Sequence, residues 1–303
     1  MIRLLLVASL LIGCSSQQGP DLLYGPTESI LEVISVLRLH IDDDTYRFPP
    51  VRDFTGKNIY SAVLSRIESL EQLHAEKLRS GYMVDVLLFS KGRALERITE
   101  YDLAAQHYKR VIDLDSPLRD SAYIAQAVCE RLHEASEIRP PAEATPGEAM
   151  SAFDRRVHRL EQLKEEIEGT HYEAVIEEEI ERTDHSRAEY FAARGVLEPW
   201  LDVIALQQYQ HLVHRHSASK NRNRHLLDLA DQYALLARQY TSRFPPTSLG
   251  FDPATFDEYV FGATRLYEAV SQRDGAVEKI EASRKLEAFL AYTLQVYDEK
   301  LPR

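Results

Sequence analysis

The chain has 303 residues and a formal net charge of −12, with 36 lysines and arginines against 48 aspartates and glutamates. This acidic balance argues against general nucleic-acid binding, because the phosphates are negative as well. Apolar residues make up 44% of the chain and only 12 residues are glycine, a composition that favours helices around a real hydrophobic core. Beyond the first 13 residues no apolar run is long enough to span a membrane.

The N-terminus carries one positive charge, Arg3, followed by an apolar run over residues 4–12 and then by Gly13. Nine helical residues rise only about 13 Å, which is too little to cross about 30 Å of hydrocarbon. A positive charge, a short apolar run and a small residue at its end are the parts of a secretory signal peptide. We therefore predict that residues 1–13 are a signal peptide.

The end of this run, Leu11-Ile12-Gly13-Cys14, resembles the lipobox of bacterial lipoproteins. The resemblance implies that the sulfur of Cys14 carries diacylglycerol and that the new amine receives a second acylation, with palmitate as the expected chain. Residues 14–25 would then be a lipidated polar tether, anchored by two or more acyl chains. Because Ser15 rather than aspartate follows the cysteine, the resemblance also implies the periplasmic face of the outer membrane.

Apolar residues recur at intervals of three and four between three double prolines, at 49–50, 140–141 and 245–246. Such spacing predicts amphipathic helices, and each proline pair is expected to end one. The segment 142–147 has no periodicity, so it is the predicted boundary between an N-terminal helical region, 26–141, and a C-terminal one, 148–303. We predict an all-α fold of antiparallel helical hairpins, either an α-solenoid or an irregular helical bundle.

The most regular segment is about 86–117. Gly92, Tyr101, Ala104 and Tyr108, with the closing Asp115-Ser116-Pro117, follow one order. This order resembles a tetratricopeptide repeat, in which the small residue at Gly92 lets two helices approach and the tyrosines fill the gap. The segment departs from the pattern where Leu88 replaces the usual tryptophan and Leu95 a tyrosine. A lipid-anchored chain of this kind also resembles, more distantly, the BamD-type lipoproteins of β-barrel assembly.

The same alignment places Phe89, Arg93, Glu96 and Arg97 in the groove of the repeat. They share one helical face, and an aromatic with two arginines is a composition enriched at interaction hot spots. The first prediction is that this face binds a protein partner. The alternative is that Phe89 belongs to the core and the charges form a solvated face.

The sequence contains no Gly-rich phosphate loop, no Gly-x-Ser-x-Gly and no Cys-x-x-Cys. His211, His214 and His216 form the main cluster of potential metal ligands, but no carboxylate lies nearby in sequence and Arg222 and Arg224 follow. We therefore predict no metal, no cofactor and no catalytic residue. The segment is interpreted as a solvated helix end, with anion binding as the alternative.

Three further features are interpreted as structural. The acidic run over residues 165–181 is predicted to be a solvated helix face. Trp200, which follows a proline, is expected to anchor a helix start in the core, and Cys129 is expected to be a small buried residue. Asp42-Asp43-Asp44 lacks the spacing of a calcium loop and is interpreted as a helix terminus.

Together these patterns predict a non-enzymatic, lipid-anchored helical-repeat scaffold that binds protein partners in the bacterial cell envelope. The alternative is an envelope enzyme or enzyme regulator whose active site is assembled from separated helices. Converging histidines and carboxylates would favour the alternative, and a long concave groove would favour the scaffold. A purely structural bundle without a partner is a third possibility.

Overall fold

A computed structural model describes residues 25–41 and 57–300 of the chain. This part contains helices and no strand, so the all-α prediction is confirmed. The helices are α1 (Pro26–Ile41), α2 (Lys57–Leu73), α3 (Ala75–Arg79), α4 (Val84–Arg97), α5 (Tyr101–Asp113), α6 (Arg119–Ser136), α7 (Pro146–Glu166), α8 (Tyr172–Gly195), α9 (Leu201–Arg215), α10 (Arg222–Arg243), α11 (Pro253–Ser271) and α12 (Lys279–Lys300). The signal peptide, Cys14 and Asp42-Asp43-Asp44 lie outside the described residues.

Local sequence signals account for where several helices begin and end. Thr145 caps α7 in a capping box with Glu148, and Pro146 takes the first helical position. Asp252 caps α11 ahead of Pro253, and its carboxylate accepts hydrogen bonds from two backbone N–H groups of the first turn. A helix end is explained by proline: α10 ends at Arg243, immediately before Phe244-Pro245-Pro246.

The helices pack in chain order. From α4 to α12, each helix packs on the next one along the chain, and α1 and α2 both pack on α4. Most of the connections are short, and short connections favour antiparallel packing of the helices they join. The described part of the chain is thus a succession of helical hairpins, as an α-solenoid requires.

The pair α4 and α5 shows why helices can approach closely here. A Cβ added to Gly92 would lie 2.5 Å from Cε1 of Tyr108, closer than non-bonded carbon atoms come. Tyr101 and Ala104 are buried as well. Of the four residues predicted for repeat packing, Gly92 and Tyr108 thus meet between α4 and α5, and the roles of Tyr101 and Ala104 stay a prediction.

The predicted boundary at 142–147 does not separate two cores. One hydrophobic cluster runs from Leu88 in α4 to Ile180 in α8 and so includes residues on both sides of the boundary. Within the segment, Ala144 is buried, and its carbonyl accepts a hydrogen bond of 2.6 Å from Nη1 of Arg194. The segment therefore packs partly against α8. The division into an N-terminal and a C-terminal helical region stays a prediction, and the two regions share one hydrophobic cluster.

None of the helices in the described ranges, 25–41 and 57–300, combines the length and the apolar character that a membrane span requires.

Candidate functional site

On the predicted partner face of α4, Phe89 and Arg93 pack against aromatic rings of neighbouring helices. The ring of Phe89 contacts Tyr108 edge to face, with centroids 5.3 Å apart. The guanidinium of Arg93 lies 5.2 Å from the ring centroids of both Phe89 and Tyr172. Arg93 also donates a hydrogen bond of 3.0 Å to the hydroxyl of Tyr172. Phe89 and Arg93 are both half-buried, so this part of the predicted face is only partly exposed to solvent.

Glu96 lies in the interior. Its carboxylate accepts hydrogen bonds from the hydroxyl of Tyr108 at 2.9 Å and from Nη1 of Arg93 at 3.3 Å, and only 1% of the residue is exposed. Burial alone would lower the pKa of Arg93, but the adjacent carboxylate outweighs it and raises that pKa. Arg93 therefore stays charged beside the buried carboxylate.

Arg97 is buried as well, and this corrects the sequence-based prediction. Its guanidinium lies over the ring of Tyr60, and Nη2 lies 3.4 Å from Oε2 of Glu178 in α8. Glu96 and Arg97 thus face other helices, and a partner cannot touch them directly. The alternative of a solvated charged face is wrong for the same two residues. Partner binding through Phe89 and Arg93 stays a prediction.

The acidic run in α8 is the largest departure from expectation. Glu179 and Glu181 are buried, whereas the sequence predicts a solvated face for this run, and Asp184, on the following turn, is buried as well. Buried carboxylates are costly unless cations or hydrogen-bond donors surround them. We refer to these three buried carboxylates as the α8 seam.

Glu179 lies at the end of the seam nearest α4. Its carboxylate accepts hydrogen bonds from Nη2 of Arg156 at 3.0 Å and from the hydroxyl of Tyr101 at 3.2 Å, and it also pairs with Arg182. Burial alone would lower the pKa of Arg182, but the charge of Glu179 outweighs it and raises that pKa. The seam therefore joins α5, α7 and α8.

Asp184 contacts one imidazole and two guanidinium groups. His216, at the end of α9, donates from Nε2 to Oδ2 at 2.9 Å, Nη1 of Arg215 lies 3.4 Å from the same oxygen, and Arg187 pairs with Oδ1. Burial alone would raise the pKa of the Asp184 carboxyl, but the hydrogen bond from His216 and the charges of the two arginines lower it. Asp184 is therefore ionised at neutral pH.

Glu181 makes the equivalent contacts to α10. His225 donates from Nε2 to Oε1 at 2.5 Å, and the hydroxyl of Ser219 donates to the same oxygen at 2.6 Å. Burial alone would raise the pKa of Glu181, but these two hydrogen bonds lower it. His216, interpreted from sequence as part of a solvated helix end, is thus a buried partner of the seam, and so is His225.

His185 lies on α8, one turn after Glu181. Its ring is next to that of His225 in α10, with the ring centroids 5.6 Å apart. Its Nε2 lies 3.2 Å from Oδ2 of Asp228 in α10, and its Nδ1 lies 3.6 Å from Glu189. His185, His225 and Asp228 each offer one ligand atom within 4.8 Å of the others. The remaining histidines of the predicted cluster, His211 and His214, are exposed on α9.

A second candidate surface lies where α8 turns into α9. Trp200 is 58% exposed, so the prediction that it anchors a core is wrong. The core contact of this helix start is made instead by the next residue, Leu201, which is buried. Three further exposed apolar side chains lie within the same eight residues of chain: Val196, Leu197 and Val203. We refer to these four residues, Val196, Leu197, Trp200 and Val203, as the α8–α9 patch.

Comparisons with known proteins identify no family. No family model matches the sequence, and no curated protein matches it significantly. Among solved structures, the chain is similar to a TPR repeats protein from Bacteroides fragilis, at 14% identity and a TM-score of 0.38. The match covers 88% of this chain and 99% of that chain. A likeness this weak shows nothing about function.

Proposed function

We propose that the protein is a lipid-anchored helical-repeat scaffold that binds a protein partner in the bacterial cell envelope. The observation that carries the binding role is the α8–α9 patch. An exposed tryptophan among aliphatic side chains is typical of interaction surfaces, because tryptophan is enriched at binding hot spots. The partner is expected to present an apolar surface that covers Trp200.

The packing of the helices supports a scaffold role. In a succession of hairpins each repeat packs mainly on the neighbouring repeats, so an extended surface stays available along the chain. The interior carboxylates of the α8 seam are paired with side chains from three neighbouring helices: Arg156 of α7, His216 at the end of α9 and His225 of α10. These pairs link successive hairpins, and they give the scaffold a defined geometry.

The place in the cell is proposed from sequence alone. The segment Leu11-Ile12-Gly13-Cys14 supports attachment through lipid on Cys14, and Ser15 supports the periplasmic face of the outer membrane. Residues between the anchor and Pro26 would act as a tether that lets the helical part reach its partner.

Site-specific photocrosslinking tests the binding role. A photoreactive amino acid replaces Trp200 in the full chain in its native envelope, and the matched control carries it at Tyr123, an aromatic residue of α6 that is also exposed. We expect one discrete protein adduct from position 200 and none from position 123. Equal adducts at both positions, or none at either, would contradict the proposal.

A loss-of-binding variant complements this test. Trp200→Ala removes an exposed side chain, so the melting temperature is expected to stay within a few degrees of wild type. The same variant should lose the adduct when the photoreactive residue is moved to Leu197, whereas Tyr123→Ala should keep it.

An enzyme, or an enzyme regulator, is the second candidate. The observation that favours it is the convergence of histidines and carboxylates from separate helices, Asp184 with His216 and Glu181 with His225. A screen of the purified full chain on ester, amide and phosphate substrates, with and without added Zn²⁺, tests this candidate. Turnover that disappears in a folded His225→Gln variant would favour an enzyme over a scaffold.

A further inference from the structure

Beyond the binding of a protein partner, three side chains at the end of the α8 seam are arranged as metal ligands. His185 comes from α8, and His225 and Asp228 come from the first two turns of α10. One ligand atom of each lies within 4.8 Å of the other two. In a tetrahedral site with bonds of about 2.0–2.1 Å, ligand atoms lie about 3.3 Å apart. The 3.2 Å between Nε2 of His185 and Oδ2 of Asp228 matches that spacing.

His225 provides the second, independent observation. Its Nε2 donates to Oε1 of Glu181 at 2.5 Å, which leaves Nδ1 as the nitrogen with a free lone pair. Nδ1 is buried and has no hydrogen-bond partner among the described residues, and only 4% of His225 is exposed. A buried nitrogen without a partner costs free energy unless something binds it. A histidine held by a carboxylate through one nitrogen and open at the other is the usual arrangement of a metal ligand.

The other two side chains have supporting contacts of the same kind. Nδ1 of His185 lies 3.6 Å from Glu189, so its Nε2 faces Asp228. The second oxygen of Asp228, Oδ1, lies 3.0 Å from Nε of Arg224 in an ion pair. Oδ2 can therefore bind an ion while Oδ1 stays paired with Arg224, and such supporting contacts are common for ligating carboxylates.

The surrounding charge permits a cation. Arg224 is a nearby positive charge, but Nη1 of Arg224 lies 3.4 Å from Oε2 of Glu281. The carboxylates of Glu181 and Glu189 lie near the two imidazoles, at 2.5 Å from Nε2 of His225 and 3.6 Å from Nδ1 of His185. Negative charge thus exceeds positive charge around the three ligand atoms. The side chain of His185 is 27% exposed, which gives an ion a path from solvent. The exposure also lets this ring move closer to the other two ligands, from separations of up to 4.8 Å to the spacing of a tetrahedral site.

We propose that His185, His225 and Asp228 form a binding site for a divalent transition-metal ion, with Zn²⁺ as the ion that best fits two imidazoles and one carboxylate. Nδ1 of His225, Nε2 of His185 and Oδ2 of Asp228 are the three protein ligands. Water completes the tetrahedron. The ion fastens α10 to α8, and Glu181 acts as a positioning residue that orients the ring of His225.

Zinc titration of the tag-free, full-length chain in detergent, after removal of metal by a chelator, tests the site. Competition with a chromophoric chelator is expected to show one Zn²⁺ per chain, with a dissociation constant of about 1 µM or tighter. Co²⁺ is expected to bind the same site with the visible absorption bands of tetrahedral coordination. His185→Asn and Asp228→Asn should each weaken binding at least about 10-fold, and Glu181→Gln about 10- to 100-fold.

The control variant changes both His211 and His214 to Asn, since these exposed histidines lie on α9. This variant is expected to bind Zn²⁺ as tightly as wild type. Circular dichroism checks that His185→Asn and Asp228→Asn are folded, and either variant alone decides the question. Wild-type binding weaker than about 100 µM, unchanged binding in a folded ligand variant, or loss of binding in the control would overturn the proposal.

Discussion

Oδ2 of Asp184 accepts a hydrogen bond of 2.9 Å from Nε2 of His216, and this contact ties the middle of α8 to the residue that ends α9. Both residues are buried, and the chain between them contains the α8–α9 turn and all of α9. The hairpin of α8 and α9 is therefore held together by a buried polar contact as well as by apolar packing.

Asp184→Asn is expected to destabilise the protein by about 3 kcal/mol, because it leaves Arg187 and His216 buried beside a neutral amide. Chemical denaturation monitored by circular dichroism measures the loss. The matched control is Glu161→Gln, which removes the exposed partner of Arg215, 2.6 Å away, and is expected to cost less than about 1 kcal/mol. Equal losses in the two variants would contradict a structural role for the buried carboxylate.

Much of the fold could be predicted because its signals are local. The capping box of Thr145 and Glu148, the helix end before Pro245 and the close contact of Gly92 with Tyr108 each depend on residues at most sixteen positions apart. Periodicity and cap residues identify such elements without knowledge of the rest of the chain.

The α8 seam could not be predicted in the same way. Its partners come from distant positions, Arg156 for Glu179 and His225 for Glu181. The run of glutamates looks solvated, since charged residues are normally exposed. One signal was present, because Ile180, Asp184 and Ala188 follow one another at helical spacing on a buried face of α8. An acidic residue within an apolar stripe indicates a buried ion pair.

Gly92→Ala should destabilise the protein although alanine is the better helix former. The new Cβ would overlap the ring of Tyr108, which cannot withdraw because it is buried and its hydroxyl donates to Glu96 at 2.9 Å. The clash is expected to outweigh the gain of about 1 kcal/mol in helix propensity and to leave a net loss of about 1–2 kcal/mol. Thermal unfolding measures the difference.

Gly147→Ala is the control for this substitution. Gly147 also lies in a helix, but nothing approaches its added Cβ within 4 Å. The variant should be neutral or more stable by up to about 1 kcal/mol. If Gly92→Ala were as stable as Gly147→Ala, the close packing of α4 on α5 would be wrong.

His107, in α5, is expected to titrate below the ordinary histidine pKa of 6.5. Burial lowers its pKa, and the nearby charges of Lys91 and Arg110 lower it further, whereas Glu71 acts in the opposite direction. Since the folded-state pKa lies below the unfolded one, His107 resists protonation in the folded protein. Its contribution to the free energy of unfolding should therefore fall as pH decreases from 6.5 through the folded-state pKa.

Two variants that should shift the pKa of His107 in opposite directions test this expectation by NMR titration. Lys91 and Glu71 form an ion pair with a distance of 2.7 Å, so each can be removed separately. Lys91→Gln should raise the pKa of His107 towards 6.5, and Glu71→Gln should lower it further. Shifts of the same sign in both variants would contradict the arrangement of α2, α4 and α5.

Cys14→Ala should abolish lipid attachment and move the protein from the membrane fraction to the soluble fraction, or leave an uncleaved precursor. The reason is that only a thiol at the lipobox position accepts diacylglycerol. Cys129 cannot replace it, because this thiol is buried against Glu96 and burial raises its pKa, which keeps it protonated and unreactive. Metabolic labelling with palmitate and fractionation of the envelope measure both effects. Cys129→Ala, the matched control, should keep the label and the membrane fraction, so a Cys14→Ala variant that fractionates and migrates like wild type would refute the lipid anchor.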